Sequence, residues 1–460
     1  MNDPIRPTLS RRQFVRHLGL GGAALAAPMI VPGRLFAAAS PNNRIRVAQI
    51  GCGRIARGHD MTGVFDSGLA DIVALCDVDA KRLQEASALV GEFYAKAGRP
   101  APRIGTYIDF NELLANEELD AVVISTPDHA HAGPAMAATR AKKAIYLQKP
   151  FTMTHAEGVM LRDAVAASGI TLQVGSQQRS WDQFRRAAEL VRSGRIGRVW
   201  HVEIGLPVDP TQPDDPAQPV PPGLDYDRWL GPTPRVEYTE QRVHPQADYS
   251  RPGWLRNDAY CLGMITGWGS HHYDTMHWAL DLEHTGPTRV EARAEFPANS
   301  IWNVHGAYHV HLEYPGGIQV SVSDKFENGL KFIGDDGWIF VTRDAPATAS
   351  DPSAPSALPP LRASDARLLS PDGLKVELMR SASHHRNWLE CIGSGRTPLA
   401  PAAVAHRSNT ACIVSWIAMR LGRPLTWDPK SERFANDTEA NAMLSRPERA
   451  PYGIGAGPKA

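Results

Sequence analysis

A chain of 460 residues is long enough for two domains of ordinary size, and its 43% hydrophobic and 21% charged residues mark it as globular rather than disordered. Lys+Arg and Asp+Glu each number 49, so the formal net charge is zero and neither nucleic acid nor an acidic membrane surface is favoured as a partner. Cys52, Cys76, Cys261, Cys391 and Cys412 are scattered, odd in number and form no C-x-x-C. This argues against a disulfide framework or a cysteine-rich zinc site.

Residues 1–39 read as an export leader rather than as fold. Ser10-Arg11-Arg12-Gln13-Phe14-Val15-Arg16 precedes an apolar, Gly/Ala-rich run, and Ala37-Ala38-Ala39 offers a cleavage site before Ser40. Gly19, Gly21, Gly22, Pro28 and Pro32 break any helix there, and the run is shorter than the ~20 apolar residues of a membrane span. The pattern is that of a twin-arginine signal, implying passage through the twin-arginine machinery to the periplasm. That route carries folded proteins, which suits a chain that acquires a dinucleotide in the cytoplasm, and it fits unpaired cysteines.

Residues 40–180 alternate strand and helix. The apolar run Ile45–Ile50 ends in Gly51-Cys52-Gly53-Arg54-Ile55-Ala56, a Gly-x-Gly-x-x-Ala turn entering a helix. Gly51 supplies the tight turn, Gly53 lets backbone approach a pyrophosphate, and Ala56 allows close helix packing. Ile72–Cys76 then delivers Asp77, 24 residues after Gly53, near the place, roughly 20 residues on, of a ribose-binding acid. A carboxylate there favours NAD over a 2′-phosphate, while the nearby Lys81 and Arg82 leave NADP open. Helices are expected at 80–97, 111–116, 132–141 and 156–167, and strands at 121–125, 144–147 and 171–174. The strand ends carry Thr126-Pro127-Asp128-His129-Ala130-His131, Gln148-Lys149-Pro150 and Gly175-Ser176-Gln177-Gln178-Arg179. In an open α/β sheet such ends face the ligand.

Residues 181–446 change texture. Runs at 199–206, 288–296, 308–314, 318–323, 330–333 and 338–341 read as strands, two of them joined by the hairpin signal Pro315-Gly316-Gly317. This is an α+β domain with an antiparallel sheet. Proline-rich segments 207–222 and 345–360 read as loops, helices return at 384–393 and 402–421, and 447–460 is a tail. Among side chains suited to a sugar site are Gln178, Arg179, Trp254 and Tyr260, the aromatic rings for stacking.

The Gly-x-Gly turn, Thr126-Pro127-x-x-x-His131, Lys149-Pro150 and Gly269-Ser270-His271-His272-Tyr273-Asp274 occur in that order. The ordered set resembles the Gfo/Idh/MocA family (glucose–fructose oxidoreductase, inositol dehydrogenase and rhizopine-catabolism proteins), in particular its exported branch, from about Arg44 to about Arg446. The resemblance implies a Rossmann domain followed by an α+β domain with an open-faced, mostly antiparallel sheet. It also implies NAD(P)-dependent oxidation of a sugar or polyol hydroxyl, and pairing of subunits into a homo-oligomer.

By that resemblance Gly51, Gly53, Arg54, Ile55, Asp77, Thr126, Pro127, His131, Gln148 and Lys149 hold the cofactor. Lys149 binds the reacting hydroxyl or takes its proton, His271 is a general base suited to neutral pH, and Asp274 is the second acid of its motif. Gln178, Arg179, Trp254, Tyr260, His271 and His272 line the substrate. No metal is expected, since His271, His272 and His277 lack the i,i+4 pairing of a helical zinc site.

Two positions depart from the family pattern. Gln148 stands where Glu is usual before Lys-Pro, and Gly267 replaces the first Asp of the histidine motif. Both remove a carboxylate from around Lys149, so its pKa is expected to fall and Lys149 to dominate as base. Two other readings share these residues. One is a redox-assisted glycosidase working by oxidation, elimination, hydration and return of hydride. The other is a non-catalytic sugar-binding protein, with Gly267 as its support.

Overall fold

The computed structural model describes residues 44–343 and 358–454. The leader and most of the second proline-rich segment lie outside the described residues.

Six strands form a wholly parallel sheet: β1 (Ile45–Ile50), β2 (Ala70–Cys76), β3 (Gly105–Tyr107), β4 (Ala121–Ile124), β5 (Ala144–Leu147) and β6 (Leu172–Val174). Their spatial order is β3-β2-β1-β4-β5-β6. β4 and β5 are short continuous apolar runs buried along their whole length, as strands covered on both faces by helices must be. The order reverses between β1 and β4, which opens a crevice at their carboxyl ends. The intervening helices begin where the sequence offers caps. Asp79 accepts from the backbone N–H of Lys81 and Arg82 to start Ala80–Lys96, and Thr154 with Glu157 forms a capping box on His155–Ser168. Most expected elements lie within one or two residues of those observed. β3 was not expected, because it has three residues and none is buried.

The second sheet has nine strands: β7 (Val199–Gly205), β8 (Arg289–Ala294), β9 (Tyr308–Tyr314), β10 (Ile318–Ser323), β11 (Gly329–Gly334), β12 (Gly337–Val341), β13 (Leu361–Ala363), β14 (Leu425–Asp428) and β15 (Arg433–Phe434). They are ordered β13-β12-β11-β7-β10-β9-β8-β14-β15. Every pair is antiparallel except β7 with β10, so the sheet is mixed rather than uniformly antiparallel. One face packs on helices Asp182–Arg192, Gly269–Leu280 and Ala402–Leu421 around Phe184, Tyr273, Val310 and Phe332. The other face stays open: along β9, buried Tyr308, Val310, Leu312 and Tyr314 alternate with the more exposed His309, His311 and Glu313.

The chain beyond residue 181 also completes the first domain. Helix His384–Ser394 places Trp388, Leu389 and Ile392 in the core formed by β1, β2 and β5, and Ala402 and Ala405 join the core on the sheet's opposite face. Ile454 packs on Ala132 and Met136. All five cysteines are buried and unpaired. Among the described residues, no helix is long and apolar enough to cross a membrane.

Candidate active site

A cleft of about 1140 Å³ runs from the carboxyl ends of β1, β2, β4 and β5 to the second domain. At its first end the chain leaves β1 at Gly51 with φ +83°, and a Cβ there would lie 2.8 Å from the Ser125 carbonyl. Only glycine fits that backbone and that approach. Gly53 also lines the cleft, and a Cβ on it would meet nothing within 4 Å. The turn therefore leaves open backbone at a helix start, the shape a pyrophosphate requires. Arg54 and Ile55 continue the same wall, and Thr126 and Pro127 line it from the end of β4.

Asp77 stands at the end of β2. Its carboxylate accepts from the N–H of Cys52 at 2.6 Å and of Asp79 at 2.9 Å, which fixes it against the glycine turn while it still lines the cleft. Burial raises its pKa, with those backbone bonds and then His244 and Arg82 opposing. The two cations that left NADP open both have protein partners, although Arg82 also lines the cleft. Lys81 donates to the Gln246 carbonyl, and Arg82 donates to Pro245 O at 2.8 Å and stacks 4.5 Å from the Tyr249 ring. The turn, the acid and the occupied cations fit NAD.

Further along, Lys149 at the end of β5, His271 on helix Gly269–Leu280 and Trp254 line the same cleft. Lys149 has a lowered pKa. Burial is the first cause, Asp128 opposes it, and Arg251 and Arg343 add to it. Thus desolvation is the first cause of the lowering, ahead of any loss of carboxylates. His271 is only 4% exposed, its Nδ1 is buried without a partner among the described residues, and burial followed by Arg343 and Lys149 holds its pKa well below 6.5. It is a neutral imidazole at pH 7 and a weaker base than the sequence suggested. Gly267 borders the cleft, and a Cβ there would meet only Met264 Sδ at 3.9 Å. The missing acid has left space.

Six expected site residues lie off the cleft lining, each for a visible reason. Asp274 is 1% exposed and forms a two-point ion pair with Arg179, Nε to Oδ2 at 2.6 Å and Nη2 to Oδ1 at 2.9 Å. Ser408 Oγ also donates to it. Arg179 has a further partner in Glu283 at 2.7 Å, so both charges are spent on joining helix Gly269–Leu280 to the first domain. His272 is fully buried beside Asn328 Oδ1 at 3.0 Å, and burial lowers its pKa to about 4. Gln178 accepts from Thr275 Oγ1 at 3.0 Å beneath it. Tyr260 packs edge-on to Trp229 at 4.9 Å and against His129. His131 bonds inward, with Nδ1 2.7 Å from Pro150 O and Nε2 3.0 Å from Thr126 O. Burial lowers its pKa to about 4, so the neutral ring donates to one carbonyl at a time and clasps two strand-end turns together.

Other groups at the cleft were not among the expected residues. Asp128 lines it, is 4% exposed, and has its Oδ2 buried without a partner among the described residues. Burial pushes its pKa up to about 7, with Lys149 and Arg251 opposing. Its place two residues after Thr126 was the available signal. Trp181 and Trp268 stand in the wall, with the Arg343 guanidinium 5.3 and 4.2 Å from their rings. They come from segments far apart in sequence and carry no motif.

Among the described residues, two groups of side chains have metal-ligand chemistry: His59 with Asp60 and His385, and His155 with His406 and Glu432. In the second, Glu432 is already paired with Arg162 at 2.7 Å and Arg407 at 2.9 Å, which disfavours a cation.

A parallel sheet with a glycine turn at its switch point, a strand-end acid, and a half-buried lysine facing a second sheet domain define a two-domain dinucleotide-binding protein. The chain belongs to the Gfo/Idh/MocA oxidoreductase family: residues 45–176 match its NAD-binding Rossmann fold, and residues 211–349 and 376–454 match its C-terminal alpha/beta domain. It is similar to the D-apiose dehydrogenase of Paraburkholderia graminis, 32% identical over 34% of this chain and 38% of the relative. It is also similar to a glycosyl hydrolase family 109 protein of Stenotrophomonas maltophilia, 28% identical over 51% of each. The chain spans about half or less of the length of the curated relatives it matches. In fold it resembles the WlbA dehydrogenase of Bordetella pertussis, solved with NADH and UDP-GlcNAcA. The TM-score is 0.60 and the identity 18%, covering 84% of this chain and 99% of that one.

Proposed function

We propose that this protein transfers hydride between a hydroxyl of a sugar or cyclic polyol and a tightly held NAD, in the periplasm, after twin-arginine export of the folded chain. The observation that carries the reading is that one cleft joins the Gly51–Gly53 turn and Asp77 to Lys149, with Trp254, Trp268 and His271 beyond. The D-apiose relative supports a carbohydrate as substrate.

In this mechanism Gly51, Gly53 and Asp77 would hold the dinucleotide at the sheet's switch point, where it would supply a hydride acceptor and donor. Lys149 Nζ, whose pKa is lowered by desolvation, takes the hydroxyl proton as the carbon–hydrogen bond breaks. Asp128 is the carboxylate whose charge acts on that lysine and favours its protonated form once the proton is taken. Neutral His271 offers a hydrogen bond to the substrate oxygen rather than serving as the first base. The tryptophans exclude water and offer stacking surface to a sugar ring.

Purified mature protein tests this. Acid release of its nucleotide should yield NAD, and the absorbance of the bound cofactor should change when the correct sugar, inositol or glycoside is added. The Stenotrophomonas relative supports a second reading, the redox-assisted glycosidase. Release of aglycone with no net NADH selects it, and net NADH from a free sugar selects the dehydrogenase. Replacing Arg11 and Arg12 by Lys should retain the protein in the cytoplasm, and light scattering should find a homo-oligomer.

A further inference from the structure

Beneath the cleft floor lies a closed group of polar side chains that the mechanism above leaves unused. The helix after the glycine turn opens with a π-turn, Ala56–Asp60, a wider turn that often marks function. It turns Asp60 fully inward and leaves His59 at the cleft, with side-chain exposures of 0% and 41%. Asp60 Oδ1 lies 3.0 Å from His59 Nδ1 and 3.0 Å from His385 Nε2, and accepts from Gln148 Nε2 at 2.8 Å. Its Oδ2 accepts from Ser125 Oγ at 2.6 Å and from Gln148 Nε2 at 3.0 Å. Gln49 donates onward to Ser125 Oγ at 2.9 Å, and Tyr146 stacks on His385 at 4.4 Å. The donors come from the π-turn, the ends of β4 and β5, and helix His384–Ser394.

This arrangement fixes Gln148 at both ends. Only its NH₂ can donate to a carboxylate, so its Oε1 is directed the other way. There it lies 3.3 Å from the Lys149 N–H and against Gly175, where a Cβ would come within 2.9 Å of it. The peptide from which Lys149 springs is therefore held by a side chain that Asp60 orients. A carboxylate at 148 in this pose would face Asp60 at about 2.8 Å in a buried site, and two such groups cannot both ionise. The Asp60 oxygens are taken up by donors, so the two imidazoles act as hydrogen-bonding partners of the carboxylate rather than as vacant ligands. Among the described residues its ion-pair partners are these two imidazoles alone.

We infer that Asp60 is a positioning residue of the reaction centre: by fixing the Gln148 amide it sets Lys149, and it is the reason residue 148 is Gln rather than an acid. This rests on Lys149 being the group that handles the substrate proton.

The test is a swap of polarity. Asp60→Asn should lower kcat by roughly 10- to 100-fold, the size of effect seen when a group that orients a ligand is lost, and should leave KM within about threefold. Gln148→Glu should fall further below wild type at pH 8 than at pH 5, each compared at the same pH so that the titration of Lys149 cancels, as one of two facing acids takes a proton. The groups facing that pair are His59, His385 and Tyr146, and these are unchanged. The double variant restores one donor and one carboxylate and should exceed both singles. Infrared spectra give a readout independent of turnover: a protonated-carboxyl band at pH 7 in Gln148→Glu, missing from wild type and from the double variant.

A Gln148→Glu spectrum without that band overturns the inference, as does a double variant no better than the worse single. So does an Asp60→Asn variant with wild-type kcat and pH profile, or an equimolar metal in the wild type that Asp60→Asn loses. Should no substrate turn over, the functional reading fails, while the infrared result still decides whether Asp60 dictates residue 148. If Asp60→Asn does not fold, Gln148→Glu carries the spectral and pH arms.

Discussion

Replacing Asp128 by Asn tests the electrostatics of the cleft without emptying space. The carboxyl is 4% exposed and has one oxygen unpartnered among the described residues, so folding moves it from an ordinary value of 3.8 to about 7. The folded pKa is raised, so between about pH 4 and 7 the native state holds a proton the unfolded chain has released. Stability is then fully present below pH 4 and lost as pH rises through 7. At about 1.4 kcal/mol per pH unit, the native state forfeits roughly 4 kcal/mol across that window. This is a ceiling, because Lys149 and Arg251 respond when the charge forms. Asn keeps the shape and removes the titration, so the variant should match wild type below pH 4, lead it slightly at pH 5 and lead it fully at pH 8. Urea titrations or melting curves at both pH values measure this, and a 2 kcal/mol gain corresponds to several degrees in Tm. The rise of turnover with pH should also move to lower pH in the variant, because Lys149 loses the carboxylate that raises its pKa. Stability curves of the two proteins running parallel from pH 5 to 8 would refute the burial argument.

Lys149→Ala should cost the 10²–10⁴-fold typical of a lost general base, and His271→Ala clearly less. A dead His271→Ala beside a near-normal Lys149→Ala reverses the assignment. Asp77→Ala should erode the preference for NAD over NADP by tenfold or more, read from the two dissociation constants; an unchanged ratio places the discrimination elsewhere. Gly51→Ala imposes a Cβ 2.8 Å from the Ser125 carbonyl at φ +83° and should cost at least the ~1–3 kcal/mol of a strained backbone, with weaker NAD binding measured by calorimetry. Tyr452 donates to Asp227 Oδ2 at 2.7 Å and lines the cleft, so Tyr452→Ala should loosen the tail and speed NAD dissociation in a stopped-flow displacement experiment.

The first domain was legible because its signals are local. The apolar runs of β1, β2, β4 and β5, the glycine turn and the Asp79 and Thr154 caps each act within a few residues of themselves. The cofactor end followed, since Gly51, Gly53 and Asp77 sit at strand ends that topology alone brings together. The chemical end depended on which way side chains point after long-range packing. His271 and Asp274 sit on one helix three residues apart, yet the first lines the cleft and the second is claimed by Arg179 and Ser408. No spacing rule distinguishes them, because the partner lies 95 residues away. Asp60 was hidden for the same reason. A π-turn changes the face on which it falls, and its partner His385 lies 325 residues on.

These long-range ties explain how one cleft meets two opposed demands. On the proposed reading, a cofactor that stays bound needs a closed, stiff site, and a sugar that comes and goes needs an open one. At the cofactor end, strands of the first domain are braced by helix His384–Ser394 through Trp388 and His385, and the tail at Pro451–Ile454 adds another wall. At the other end the lining comes from the loop and short-helix segments of the second domain around Trp254 and Trp268. Lys149 stands where the two meet, on a rigid strand end with its peptide pinned by Gln148. The group that moves the proton is thereby tied to the fixed half, and substrate choice is left to the half that variation in loops can alter without disturbing the cofactor.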